Sequence, residues 1–452
     1  MPSELLIEFS WGKTILTLLA VAVLAGLDLA ARAEHKNVHY LFACVIGTVL
    51  SLGLMQFTRL LLSAQGSPYT IAFGVLLILL AWRLLFGPWE IPVKATVLGA
   101  FVFWVALSIL SREPPRELLA HLIAIVFAII PAVVWSYLFL EYHREHRSLV
   151  ILMFLAGMLS TAPILFYDML VRHQAELNFF LFRIVPESFN RTTESFVTGQ
   201  FAGLSQVHTS ILTVFFSFII VGLIEEFSKY WVLSRSGKQS FTSIDDVMQL
   251  AIIVGIGFAF AENSMNPGYF VGFVKQYLLG SQQDWVGFAS NVLGRSILTS
   301  MVHIVSTGVL GYFLGLAIFA GPVLQEAETQ GKRHRMVEYL SDLLRFPKKA
   351  IFRRQMLLTG LLAAILLHAM SNFLVTLPDI LPGQPRTVGD LMKLAPGSVF
   401  HYVSLLLFPS LLYVVGGFWL LTELFVRKEN MKERGHLITT DTFVTLRPEG
   451  EG

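Results

Sequence analysis

The sequence predicts an all-α, polytopic membrane protein of about eleven transmembrane helices, with a four-helix catalytic core towards its C-terminal half. Three observations carry this. Of 452 residues, 55% are hydrophobic and only 14% charged, with a mean hydropathy of +0.66, whereas soluble domains carry about 25% charged residues. Apolar runs near 20 residues, long enough to cross ~30 Å of hydrocarbon, recur along the chain. Four consecutive runs also contain polar groups: Glu225, Glu226 and Lys229, then Glu262 and Asn263, then His303, then His368 and Asn372. Each costs roughly 2.5–3.5 kcal/mol in a bilayer when ionised, so these groups pair with one another or serve a function.

Taken in order, the runs at 14–31, 39–61, 68–86, 93–111, 118–140 and 148–167 form an N-terminal six-span region, 1–167. The first run lacks a basic n-region and an A-x-A cleavage pattern, so it is expected to be retained. Residues 168–208, mixed aromatic and polar, make an extracytoplasmic connection, an interfacial helix or lid, since loops of this length are usually functional. The core, 209–377, holds runs at 209–233, 247–273, 294–320 and 356–377, with a basic cytoplasmic loop at 321–355. In that loop EYLSDLLRF has helical spacing and basic flanks. A solvated loop that sets topology is the expected reading, and an amphipathic surface helix the alternative. A final span at 399–426 closes the segment 378–426, and 427–452 is a polar tail.

Basic residues concentrate in the stretch from Lys332 to Arg354 and in the tail from Arg427 to Arg447. The positive-inside rule then puts the N-terminus outside and the C-terminus inside. A net charge of +2 gives no case for nucleic-acid binding, and the lone Cys44 excludes an internal disulfide framework. Asp28, four residues before Arg32 near the cytoplasmic end, is read as snorkelling or a local pair. Arg59, His121, His401 and Glu423 lie near interfaces and need no special role.

The polar residues have helical spacing. Glu225 and Lys229 are four apart, Glu226 and Lys229 three apart, so Lys229 can hold one carboxylate as a structural group. The other is then available as a general base towards water. The plainer alternative is an ion pair that packs helices. Phe258 precedes Glu262 by one turn, Gly255 and Gly257 permit close helix approach, and Asn263 and Asn266 add hydrogen-bonding groups. Pro267 can break the helix just beyond. His303 is followed by Thr307 and by Gly308, Gly311 and Gly315, and His368 and Asn372 share one face. At ~1.5 Å per residue, all four motifs fall within roughly 10 Å of a common depth.

E-E-x-x-K at 225–229, F-x-x-x-E-N at 258–263, a histidine at 303 and H-x-x-x-N at 368–372 resemble the PrsW family of intramembrane proteases. That family is related to the type II CAAX prenyl endopeptidases and the bacteriocin-processing proteases. The resemblance runs from the seventh to the tenth span. It implies a four-helix core that cleaves a peptide bond of a membrane protein or membrane-bound peptide, in some members an anti-sigma factor. It also implies a bacterial cytoplasmic membrane. Some relatives end the last motif in aspartate, so Asn372 fits better as a hydrogen-bond donor than as a base. The first six spans exceed a compact core of this kind.

Two mechanisms fit these residues. In the favoured one, which uses no cofactor, Glu225 or Glu226 activates water with help from His303. His368 and Asn372 then donate to the oxyanion, a task that contributes ~3–4 kcal/mol per donor. In the other, His303, His368 and Glu262 bind zinc as a two-His-one-carboxylate set, although no H-E-x-x-H is present. A proton- or ion-coupled transporter would use the same Glu, Lys and His residues. Against it, no inverted repeat is evident and the polar groups cluster in four neighbouring spans. A non-catalytic receptor or scaffold is a third reading.

Overall fold

The computed structural model describes residues 40–63, 68–165 and 211–433, apart from 88, 112, 142–145, 238–239, 267 and 382. It also describes the pairs 177–178 and 183–184 and a few single positions between 19 and 30. The expected first span, most of the 168–208 connection, Pro267 and the chain end from 434 lie outside these residues.

The described residues are almost wholly helical. In chain order the first helices are α1 (Tyr40–Ser63), α2 (Pro68–Leu85), α3 (Ile91–Leu110), α4 (Pro115–Leu140) and α5 (Arg147–Leu159). Two short antiparallel strands follow, β1 (Leu177–Asn178) and β2 (Arg183–Ile184), with Leu177 opposite Ile184. Next come α6 (Ile211–Gly237), α7 (Ile244–Met265), α8 (Phe270–Phe273, running into a π turn at Val274–Leu278) and α9 (Trp285–Ile318). The remainder is α10 (Ala320–Thr329), α11 (Arg335–Leu344), α12 (Lys348–Ile380), α13 (Val388–Leu391), α14 (Leu407–Leu411) and, after a π turn, α15 (Gly417–Glu433). Among the described residues seven helical stretches are long and apolar enough to cross a membrane. They comprise α3, α4, α5 extended to Leu165, α7 through Leu278, α9, α12, and Leu407–Val426. The chain is an integral membrane protein.

Helix ends outrun the apolar runs. The ninth run was expected from 294, yet α9 starts at Trp285, because Asp284 caps it by accepting from the Gly287 amide at 2.8 Å. Similarly, α12 begins at Lys348 although its run was expected from 356. Hydropathy marks where a helix meets lipid, whereas hydrogen bonding continues to the cap. The loop at 321–355 contains two helices, α10 and α11, and the last helix continues to Glu433, into the expected tail.

The chain divides into two compact units. The first comprises the residues up to Glu113 with Arg147–Leu155. Within it α1 packs on α3, and Gly47 lies so close to the Val97 carbonyl that a Cβ there would meet it. Cys44 is buried beside Thr48.

The second unit is built around α7, which is buried almost all round from Ile244 to Ser264. A helix apolar on every face belongs in the middle of its bundle. It packs on α4, α6 and α9, while α9 packs on α12 and α12 on α6. Small residues make these crossings tight. On α9, Gly308 faces Ile252, Gly311 faces Ala251 and Met248, and Gly315 faces Ile244. Gly255 of α7 abuts the backbone of His303, and Gly222 of α6 abuts Ile365 and His368 of α12. A polar tie reinforces the α4 side, where Gln249 donates to the Phe139 carbonyl at 2.6 Å.

A Cβ on Gly255 would lie 2.8 Å from the His303 carbonyl oxygen, whereas one on Gly294, in α9, meets nothing within 4 Å. Gly255→Ala is therefore expected to cost about 1–3 kcal/mol through overpacking, visible as a lower Tm in detergent. Gly294→Ala is expected to be neutral or slightly stabilising. Equal Tm values for the two variants would refute the close α7–α9 crossing.

Candidate active site

Three helices meet at one buried oxygen. Glu226 of α6 is fully buried, and its Oε1 accepts from Lys229 Nζ at 2.7 Å, His368 Nδ1 at 2.7 Å and Ser306 Oγ at 3.0 Å. Those donors come from α6, α12 and α9. Helical spacing brings Lys229 back to Glu226, and Gly222, one turn before Glu226, lets α12 approach closely enough for His368 to reach it. A charge-assisted bond is stronger than a neutral one, and three of them offset much of the desolvation of a buried carboxylate.

From Lys229 the contacts continue to α9 and α7. The Lys229 ammonium donates to His303 Nδ1 at 2.8 Å and lies 4.1 Å from the centroid of the Phe258 ring. An ammonium can only donate, so His303 carries its proton on Nε2. That nitrogen lies 3.0 Å from Glu262 Oε2 and donates to it. Arg295 completes the array: its guanidinium is 3.3 Å from Glu262 Oε2, its Nε donates to Asn263 Oδ1 at 2.6 Å, and it stacks on Tyr269.

Among the described residues Glu225 joins this network only through His368. Its Oε2 lies 3.4 Å from His368 Nε2. That oxygen is buried and has no hydrogen-bond partner among the described residues; Glu226 Oε2 is in the same position. The cluster thus sets three carboxylates, Glu225, Glu226 and Glu262, beside Lys229 and Arg295, with Glu262 and Arg295 half-buried. The ligand atoms of Glu225, His303 and His368 all lie within 4.8 Å of one another.

The structure brings seven of the eight expected residues into one connected cluster: Glu225, Glu226, Lys229, Glu262, Asn263, His303 and His368. Asn372 lies one turn beyond His368 on α12, half-buried, and its side-chain amide makes no hydrogen bond within the described residues. The carboxylate grouped with the two histidines is Glu225; Glu262, the one named for a zinc set, is turned to His303 and Arg295. Sequence reasoning missed Arg295, Ser306 and Gly222. Arg295 fell at the edge of a run expected to begin at 294, although α9 places it three turns inside the helix. Ser306 is three residues from His303, but serine is common in such helices and gave no signal.

Removing a donor from Glu226 should destabilise the fold in proportion to the charge left uncompensated. Ser306→Ala is expected to cost about 1–3 kcal/mol and Lys229→Ala about 3–5 kcal/mol, read as falling Tm and yield in detergent. The Glu226→Gln/Lys229→Met double variant is expected to be more stable than Lys229→Ala, since it leaves no unpaired charge. A Lys229→Ala protein as stable as the parent would show that Lys229 is not what holds Glu226.

Comparison with known proteins places the chain in a family. A family model described as the PrsW family intramembrane metalloprotease matches residues 145–395, more than half of the chain. The matched region contains every residue of the cluster. No curated protein and no solved structure matched the chain. Nothing in these comparisons supports a transporter. The chain belongs to the PrsW family of intramembrane proteases.

Proposed function

We propose that this protease hydrolyses its membrane-protein or peptide substrate with Glu225 as the general base. The observation that carries the reading is the open Oε2 of Glu225 opposite His368 Nε2. Glu226 accepts the Nδ1 proton of His368, which leaves Nε2 with a free lone pair on the Glu225 side. A water that enters beside Glu225 Oε2 would donate a hydrogen to it. Glu225 takes its proton as the water oxygen adds to the scissile carbonyl carbon. The amide of Asn372 donates to the developing oxyanion. Glu225 then returns the proton to the leaving amine as the C–N bond breaks. In this reading His368, bonded to Glu226 through Nδ1, leaves the oxyanion task to Asn372. Lys229, His303, Glu262, Asn263 and Arg295 position the machinery without touching substrate.

The family description names a metal, and its holders here would be Glu225, His303 and His368. Such an ion, when bound, polarises a carbonyl and lowers the pKa of its water. Hydrolytic zinc sites use three protein ligands. In this arrangement Glu225 and His368 have open lone pairs, whereas both nitrogens of His303 are engaged, one by Lys229 and one by Glu262. The donor set as arranged does not fit the ion.

The four helices α6, α7, α9 and α12 form the catalytic core in this reading. The basic segment between α9 and α12 faces the cytoplasm of a bacterial inner membrane, with the N-terminus outside. Anti-sigma-factor-like membrane proteins are the substrates to assay first.

Glu225→Gln is expected to lower cleavage of a fluorogenic membrane peptide by about 10²–10⁴-fold with Tm retained, while cleavage by the parent protein survives chelation. Stoichiometric zinc in the purified protein, with activity lost to chelator and restored by zinc, would overturn the metal-free mechanism. Unchanged cleavage in Glu225→Gln would remove Glu225 from the chemistry.

A further inference from the structure

The helix α11 is amphipathic but only half covered. Val337 is buried against Ala320, Ile351 and Phe352, with Leu340 beside it. Met336, Tyr339 and Leu343, at i, i+3 and i+7 on the adjoining face, are each more than 60% exposed, and Leu344 and Phe346 are exposed as well. Glu338 and Asp342 fall on the opposite side of the helix. Around this bare face the stretch 332–354 carries eight basic residues, Lys332, Arg333, Arg335, Arg345, Lys348, Lys349, Arg353 and Arg354, against those two acids. All eight are exposed, and Arg354 stacks on Phe346 at 5.3 Å.

The position of α11 in the chain decides between possible occupants. Its segment joins α9 and α12, both long enough to span a bilayer, so it is tethered at both ends to one membrane surface. At 33 residues and ~1.5 Å per residue, α12 is about 50 Å long, well beyond the ~30 Å hydrocarbon core. Its first turns, with Lys348, Lys349, Arg353 and Arg354, can therefore stand at headgroup level. An exposed apolar face ringed by cations at that level matches the acyl boundary below and anionic phosphate above. We infer that α11 is an anionic-phospholipid-binding helix lying in the membrane interface, with Met336, Tyr339 and Leu343 in the acyl boundary and the surrounding Lys and Arg on the headgroups.

Because Cys44 is the only cysteine, a nitroxide can be placed uniquely on Leu343→Cys or Glu338→Cys in a Cys44→Ala background of the full chain. The probe is power saturation with oxygen and a nickel chelate, in nanodiscs of phosphatidylcholine with or without phosphatidylglycerol. The Leu343 label is expected to be accessible to oxygen and protected from nickel, more so with phosphatidylglycerol, while the Glu338 label stays open to nickel. Neutralising Arg333, Arg335, Arg345 and Lys349 to Gln is expected to lower the retained phosphatidylglycerol-to-phosphatidylcholine ratio by at least about tenfold, since each basic residue near the surface adds to headgroup attraction. A Leu343 label open to nickel in both compositions would overturn the proposal, as would one shielded from both reagents, which reports protein cover. Equal immersion with and without phosphatidylglycerol, together with no loss of selectivity on neutralisation, would overturn the anionic requirement.

Discussion

Glu226 is a carboxylate with no exposure, in a helix of membrane-spanning length, and most of the second unit is arranged around satisfying it. One of its oxygens receives Lys229, His368 and Ser306, which binds α6 to α12 and α9 at a single point. The cost of burying such a charge rises steeply when any partner is missing. The crossing geometry of these helices is therefore constrained more sharply than apolar packing alone would require. Lipid offers no hydrophobic drive between helices, so small residues and buried hydrogen bonds carry the association instead. Gly222, Gly255, Gly308, Gly311 and Gly315 provide the first, and the Glu226 cluster provides the second.

The same arrangement divides the paired glutamates by role. Residues adjacent on a helix point about 100° apart, so a lysine one turn on can serve only one of them well. Lys229 serves Glu226, and Glu225 is turned towards the outer nitrogen of His368. A structural carboxylate thus orients the histidine that stands beside the other glutamate. The remaining ties pass through His303 to Glu262 and Arg295, so that groups on four helices hold one another in register. A site of this kind is rigid because each member's proton position is set by its neighbour, which is the condition for preorganised acid–base chemistry.

Outside that cluster, the stretch between α9 and α12 follows different physics. There the helix α11 is held at one side by Val337 against α10 and α12, and its other apolar side faces outward among cations. Tethering to two long helices keeps it at a surface where both its apolar and its basic residues have a complement. The chain thus combines a buried, hydrogen-bonded polar cluster with a polar-apolar boundary element.

The apolar runs and the four polar motifs were readable from the sequence, because a bilayer sets the length of an apolar stretch and penalises each charge placed inside it. Seven helical stretches among the described residues are long and apolar enough to span, against the eleven expected, and the spacing of Glu225, Glu226 and Lys229 already implied a division between a held and a free glutamate. Which glutamate was held depended on where α9 and α12 cross α6, and spacing within one helix says nothing about that. The partners Arg295 and Ser306 were equally hidden, one by a helix that begins nine residues before its apolar run, the other by the ordinariness of serine. Tertiary structure alone decided that His303 lies between Lys229 and Glu262 while His368 lies between Glu226 and Glu225, since these neighbours are brought together from four separate helices.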